Sequence, residues 1–204
     1  MKRSVLYVAL GLAATVWVVT VAAAVRSIRA FESTPGRAAV APDRWPAPAM
    51  IAREPGTWTL VMLVHPQCSC SRASVAELAA IVQQAPRNLR TYVLFYRPHE
   101  FAAQWSRTDV WAAAERIPRV RVMTDVDGKE AKRFGSFTSG QTFLFDPQGT
   151  RRYSGGITLL RGHAGLNSGR AEVIRIVNGG TGPGAHPVFG CAIVPPVAER
   201  KEAP

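Results

Sequence analysis

Two cysteines one residue apart, Cys68 and Cys70, lie in the stretch His65-Pro66-Gln67-Cys68-Ser69-Cys70-Ser71-Arg72, between an apolar run and a helical pattern. A thiol there sits at a helix N-terminus, where free N–H groups and the helix dipole stabilise a thiolate. Arg72 adds positive charge one turn on, and His65 stands beside the motif, placed to tune thiol acidity. A thiolate is the species that attacks a disulfide, and a second thiol nearby releases the product. The chemistry expected is therefore thiol–disulfide exchange, with Cys68 attacking and Cys70 resolving. Residues i and i+2 have Cα atoms about 5.5–7 Å apart, within or at the limit of disulfide geometry. A bond in so small a ring would be strained, easily reduced and strongly oxidising. The plainer reading is two ordinary free thiols at a helix start.

Cys191 lies in PVFGC, inside a tail rich in Pro and Gly. Its residue type allows three roles: resolving a mixed disulfide on Cys68, pairing structurally with one of the other two cysteines, or docking the tail as a small apolar group. An odd cysteine count leaves one thiol free in a fully oxidised monomer. His163 belongs to the glycine-containing loop Arg161-Gly162-His163-Ala164-Gly165-Leu166-Asn167, which can fold back toward Cys68. Two thiolates and an imidazole suit a soft Cu(I) ion, so Cys68, Cys70 and His163 form an alternative metal-binding set. The competing reading is a polar loop histidine, and the primary expectation includes no metal or other cofactor. Three cysteines are too few for a disulfide scaffold or a four-thiolate zinc site.

The elements that must position these groups alternate. Residues 57–64 (TWTLVMLV) form an apolar run ended by His65-Pro66, the pattern of a buried central strand. Val75, Leu78, Ala79 and Val82 recur at helical spacing until Pro86. Residues 91–96 (TYVLFY) read as a second buried strand. Ser106 and Asp109 make a capping-box pattern before a helix carrying Trp111 and Ala114, closed by Pro118. Next come a short strand over 120–123 and a short helix over 129–134. The runs 142–145 and 151–154, joined by Asp146-Pro147-Gln148-Gly149, read as a β-hairpin. Val173, Ile174 and Val177 mark a last helix beginning near Ser168. The order β-α-β-α-β-α-β-β-α predicts an α/β fold, a mixed sheet with helices on both faces. Trp45, Trp58, Trp105 and Trp111 read as core or groove packing.

Residues 5–25 carry no charged side chain and as a helix span about 31 Å, the thickness of a bilayer core. A signal-peptide core is usually only about 7–15 residues long. The run therefore predicts an uncleaved single transmembrane anchor, although Ala22, Ala23 and Ala24 resemble a cleavage site. Lys2 and Arg3 stand before the span, while Arg26, Arg29, Arg37 and Arg44 stand after it, a count that does not favour export of the C-terminal part. Residues 1–4 are then an N-terminal tail, 26–56 a Pro/Ala-rich tether, 57–178 the working domain and 179–204 a Pro/Gly-rich tail. The 204 residues carry 25 Lys+Arg against 14 Asp+Glu, a formal charge of +11, which invites a nucleic-acid reading. No run of five basic residues and no nucleic-acid-binding signature supports one. With 47% hydrophobic residues the chain is not a disordered one.

With the cysteine motif after the first core strand, the element order and the segment TFLFDPQG, residues 57–178 resemble the thioredoxin superfamily. The stretches HPQCSCSRASVAEL, YVLFYRP, SGQTFLFDPQG, RGHAGLNSGR and PVFGC are most similar to the RedB-type group of membrane-anchored thioredoxin-like proteins. The resemblance implies a thioredoxin-like mixed sheet behind a transmembrane helix and redox chemistry on protein thiols or disulfides or a redox partner. It also implies placement at the bacterial inner membrane with the domain on the periplasmic side. The usual motif is Cys-x-x-Cys, which puts its resolving position on Ser71 here. The proline that in thioredoxins shapes the substrate groove and keeps metals off the thiols falls on Gly140. Beside the oxidoreductase reading stand the Cu(I) chaperone and a redox-silent interaction module that keeps only the fold.

Overall fold

The computed structural model describes residues 2–194. The chain divides into two compact units, Met1–Thr34 and Pro35–Pro204. The first is helix α1, Lys2–Ser33. Within it Val5–Ser33 has a mean hydropathy of 2.3 and is long and apolar enough to cross a membrane. Thr15 and Thr20 return their hydroxyl hydrogens to the Gly11 and Val16 carbonyls, so neither polar group needs a partner outside the helix. The helix continues through Arg26 and Arg29, beyond the boundary at residue 25 that the change in charge suggests.

The second unit is built on a five-stranded sheet of order β3-β2-β1-β4-β5. Strands β1 (Trp58–Val64), β2 (Leu89–Arg97) and β3 (Val120–Val126) are parallel, while β4 (Gln141–Phe145) runs antiparallel to β1 and pairs with β5 (Arg151–Gly155) in the expected hairpin. The Asp146 carboxylate closes the hairpin turn by accepting from the Gln148 and Thr150 N–H groups. Helices are α2 (Ser71–Gln84), α3 (Asp109–Glu115), α4 (Lys129–Arg133) and α5 (Ser168–Val177). This is the α/β mixed sheet with helices on both faces that the element order predicts, in the thioredoxin-like form that the resemblance implied.

Every residue of β1 after Trp58 is buried, and its alternate residues feed two separate cores. Leu60, Met62 and Val64 pack with α2, α3 and α5; Val61 and Leu63 face Tyr92, Leu94, Tyr96 and Phe143 on the other side. Both faces carry helices, but unequally. Among the described residues the helical cover of the second face is the five-residue α4, contributing Ala131 with Phe134 just beyond it, and Trp105 from a short 3-10 turn.

Extended chain completes that cover. The composition of residues 26–56 suggests a loose tether, yet its second half is docked. Ile51 is 3% exposed, and Trp45 meets Phe134 and Phe145 edge-on at 5.3 and 5.1 Å. The Gly36, Val40 and Trp45 N–H groups donate to the Val188, Gly135 and Gly149 carbonyls. Apolar side chains supply the drive, and backbone bonds that need no particular residue type hold the path.

The start of α3 also differs from the capping-box expectation. Ser106 ends a separate 3-10 turn, Ala103–Ser106, and Thr108 is the residue that enters the helix. The Thr108 hydroxyl donates to the Pro66 carbonyl at 3.1 Å, tying the helix start to the segment leading to Cys68.

Replacing Ile51 with Ala should destabilise the domain by about 2–4 kcal/mol in denaturant unfolding, the cost of emptying a filled core site. A change below about 0.5 kcal/mol would show this segment to be a loose tether after all.

Candidate functional site

Strand β1 ends at the topological point where the parallel sheet hands over to α2, so the 65–70 turn sits at the carboxyl end of the central strand. A series of turn bonds winds the chain into the helix: the Cys68 N–H donates to the His65 carbonyl, Ser71 to Cys68 and Ala73 to Cys70. Cys68 and Cys70 are buried, and Cys191 is exposed.

The sulfur brought into contact with Cys68 comes from 123 residues away: Cys191 Sγ lies 2.9 Å from Cys68 Sγ. The three cysteine sulfurs form one cluster, all within 4.8 Å of one another. Cys70 is thus near Cys68 as its spacing demands, but the closest contact pairs Cys68 with Cys191.

The path of the tail explains this. Residues 184–187 run along the outer edge of β5, with Ser154 donating to the Gly184 carbonyl and Gly156 to Pro187. The buried Glu172 carboxylate on α5 holds them, accepting from the Gly184 N–H and lying 2.6 Å from His186 Nε2. Val188 is buried, and residues 191–193 then pair with the segment preceding β4. The Ser139 N–H donates to the Cys191 carbonyl at 2.8 Å, and the Ile193 N–H to the Phe137 carbonyl at 2.9 Å. Gly190 passes so close that a Cβ there would lie 2.0 Å from the Ser139 oxygen, so only glycine fits before Cys191.

Hydrogen-bond donors hold the Cys68 thiol down to about 5. The Cys191 S–H is the strongest of them; burial opposes it, and the Cys191 N–H, the Ser71 hydroxyl and the Cys70 N–H assist. Cys70 is pushed up by burial and by the negative charge on Cys68. Cys191 is pushed up because its proton is held by Cys68, again with burial adding. With Cys68 lowered and both Cys70 and Cys191 raised, the first negative charge of the reduced cluster falls on Cys68. Ser71 is itself oriented. The His65 N–H donates to Ser139 Oγ at 2.8 Å, and Ser139 Oγ lies 2.8 Å from Ser71 Oγ. With Ser71 donating to the thiolate, Ser139 must donate to Ser71, giving a directed chain of hydroxyls that ends on sulfur.

His65 and Arg72, the two residues expected to tune thiol acidity, are each held by contacts of their own. Burial lowers the His65 pKa, against a smaller raising effect of the charge on Cys68, and the ring accepts from the Gln67 N–H at Nδ1. It is a neutral ring packed against Tyr96 and Trp105, at 5.6 and 5.7 Å. Arg72 turns outward to pair with Asp109. The position expected for the groove proline, Gly140, has φ of 89°, a conformation suited to glycine.

The 161–167 loop does fold back, as the glycines suggested. Buried Glu77 of α2 draws it in, accepting from the Gly165 N–H, the Asn167 amide and Arg170. The residue this delivers toward the thiols is Arg161, whose guanidinium donates to the Gly190 carbonyl. His163 is exposed, and among the described residues the sulfur cluster includes no histidine. The copper set of Cys68, Cys70 and His163 is therefore not assembled; Cys191 takes the third place. Ser71, Ser139, Arg161 and the Glu172–His186 anchor escaped sequence reasoning. A Ser beside the cysteine motif and a glycine directly before Cys191 were the only signals for them.

No family model matches the chain, and no curated protein matches it in sequence. Among solved structures it is similar to an uncharacterized conserved protein from Geobacillus kaustophilus, at 15% identity and TM-score 0.57, over 81% of this chain and 94% of that one. A hypothetical protein from Sinorhizobium meliloti 1021 aligns at 18% identity and TM-score 0.52, over 80% of this chain and 96% of that one. A secreted disulfide oxidoreductase from Mycobacterium tuberculosis aligns at 12% identity and TM-score 0.44, over 61% and 82%. The likeness to the Geobacillus and Sinorhizobium proteins, at 15% and 18% identity, is one of fold.

Thiolate absorbance of the reduced protein should titrate with a first midpoint near pH 5. Ser71→Ala should raise that midpoint by roughly one pH unit, the worth of one hydrogen bond to a charged group. Because the folded value lies below the unfolded thiol's 9.0, the stabilisation is complete above about pH 9 and is lost as the pH falls through about 5. Unfolding of the reduced protein should show that rise, and Cys68→Ser should flatten it. A first midpoint above pH 8 would refute this electrostatic account.

Proposed function

We propose that this thioredoxin-fold chain is a membrane-anchored thiol–disulfide oxidoreductase whose working pair is Cys68 and Cys191. The observation that carries the proposal is the 2.9 Å contact between the acidic sulfur of buried Cys68 and the sulfur of Cys191, an exposed residue. Cys70, the resolving thiol expected from spacing, becomes the third member of the cluster.

The burial pattern supports a direction of attack. In the oxidised state the exposed sulfur of a Cys68–Cys191 disulfide is Cys191, so an incoming substrate thiolate attacks there. The bond to Cys68 breaks, and Cys68 departs as a thiolate that needs no proton, the better leaving group of the two. A second substrate thiolate then attacks the substrate sulfur of the mixed disulfide. Cys191 is released and takes up a proton from solvent. Two substrate thiols have become a disulfide, the protein has gained the electron pair, and a disulfide-bearing partner restores the oxidised form. Stabilising the Cys68 thiolate favours the reduced protein and so makes the pair an oxidant.

The substrates are protein thiols or a redox partner, reached from a bilayer to which α1 holds the domain. The placement is single-pass at the bacterial inner membrane with the domain in the periplasm. That side is favoured by the resemblance to RedB-type proteins and by the chemistry, since disulfide formation belongs to oxidising compartments.

Equilibration in a glutathione buffer series, read by peptide mass spectrometry, tests the pair. The expected result is a Cys68–Cys191 disulfide with a potential less negative than the roughly −270 mV of a reducing thioredoxin, and glutathione carried on Cys191 at intermediate poise. A Cys68–Cys70 disulfide, or glutathione on Cys68 alone, would reject it. For the location, a membrane-impermeant maleimide should label Cys191 in spheroplasts once an impermeant phosphine has reduced the Cys68–Cys191 disulfide. Labelling only after detergent lysis would place the domain in the cytoplasm.

A further inference from the structure

The three sulfurs do more than pair. Their mutual separations, all within 4.8 Å, describe a small triangle formed from two distant parts of the chain. One edge is the helix start carrying Cys68 and Cys70. The remaining corner is Cys191, held by the Ser139 N–H through its own carbonyl. Three metal–sulfur bonds of about 2.3 Å in a trigonal plane put sulfurs about 4.0 Å apart, inside that span. We propose that the reduced protein binds one Cu(I) ion at a trigonal site made by Cys68, Cys70 and Cys191.

The donor set chooses the metal. Thiolates select soft ions, and among the described residues no histidine or carboxylate joins the cluster as a fourth ligand. Structural zinc is almost always four-coordinate and tetrahedral, which this set does not supply. Two of the three ligands, Cys68 and Cys70, are buried residues, which limits the approach of competing water. Charge is addressed as well. Three thiolates around a monovalent ion leave two negative charges. Arg161, anchored on the Gly190 carbonyl, places its positive charge where it acts on both Cys70 and Cys191. Any proton still on a thiol leaves to solvent when the ion binds, and no electron moves. Seating the ion requires Cys191 Sγ to retreat from Cys68 by about 1 Å, within reach of a small side-chain rotation at an exposed residue.

The site shares its sulfurs with the proposed redox pair but needs only that they be reduced, whether or not the protein turns over a substrate. A Cys68–Cys191 disulfide removes two of three ligands, so metal loading and oxidation exclude each other.

The test uses the reduced full-length protein in detergent, without oxygen, titrated with tetrakis(acetonitrile)copper(I) against the chelator bathocuproine disulfonate. One Cu(I) per chain is expected, with three sulfur neighbours and no nitrogen in the X-ray absorption spectrum. Cys191→Ser should weaken retention at least about tenfold and leave two sulfurs, whereas His163→Ala should change nothing. The wild-type spectrum decides alone if the serine variant proves misfolded. No saturable uptake, a histidine nitrogen in the shell, undiminished retention by a folded Cys191→Ser protein, or equal retention of Zn(II) would each overturn the proposal. A protein that forms the Cys68–Cys191 disulfide yet takes up no copper would sink this inference and leave the redox reading standing.

Discussion

A sheet whose central strand is apolar on both faces must be covered on both faces. Here the two sides are served unequally. Three helices cover one, while among the described residues a five-residue helix and a single 3-10 turn carrying Trp105 serve the other. The apolar side chains of Val61, Leu63 and Phe143 cannot be left in water, since each fully buried group contributes about 1.5–3 kcal/mol. Extended chain from before β1, with Trp45 and Ile51, and from beyond α5, with Ile193, closes that face. Ile193 draws the tail across the sheet end, and Cys191, two residues earlier, lands on Cys68. The site's third sulfur is delivered by core packing.

Delivery alone does not make a thiolate. The groups that lower the Cys68 pKa are uncharged donors: a thiol, a hydroxyl and two backbone N–H groups. Such donors work in a buried site because they stabilise charge without themselves requiring solvation, whereas a buried guanidinium or imidazolium would carry its own desolvation cost. His65 accordingly stays neutral against Tyr96 and Trp105, and Arg72 remains at the surface with Asp109. The hydroxyl chain from the His65 N–H through Ser139 to Ser71 connects the end of β1, the segment before β4 and the start of α2. Those three pieces of backbone must be in register for the sulfur to be acidic. Thiol acidity is therefore a readout of the fold.

The elements of the sheet and its helices were legible in order and type because each carries a local signal. The apolar run of β1, the 3.6-period stripe of Val75, Leu78 and Val82, the stop at Pro86 and the turn at Asp146–Gly149 are written in neighbouring residues. The same locality misled where chemistry depended on direction. Arg72 is one turn from Cys68 in sequence, but its side chain leaves the helix toward Asp109 of α3. The glycines of the 161–167 loop announced a fold-back, but Glu77, far away on α2, decided that Arg161 and not His163 would face the thiols.

The amino-acid sequence by itself determined the anchor-length apolar helix, the alternating α/β order and a cysteine pair at the junction of the central strand and its helix. Each follows from side-chain type at short spacing. Only the tertiary structure decided that Cys191 is the sulfur against Cys68, that residues 35–56 are part of the domain and that the thiolate rests on Ser71 and Ser139. The contacts that carry the tail are backbone bonds, such as Ser139 to Cys191 and Ile193 to Phe137. Every residue but proline has the donor and acceptor for such a bond, so no residue type marks where one forms.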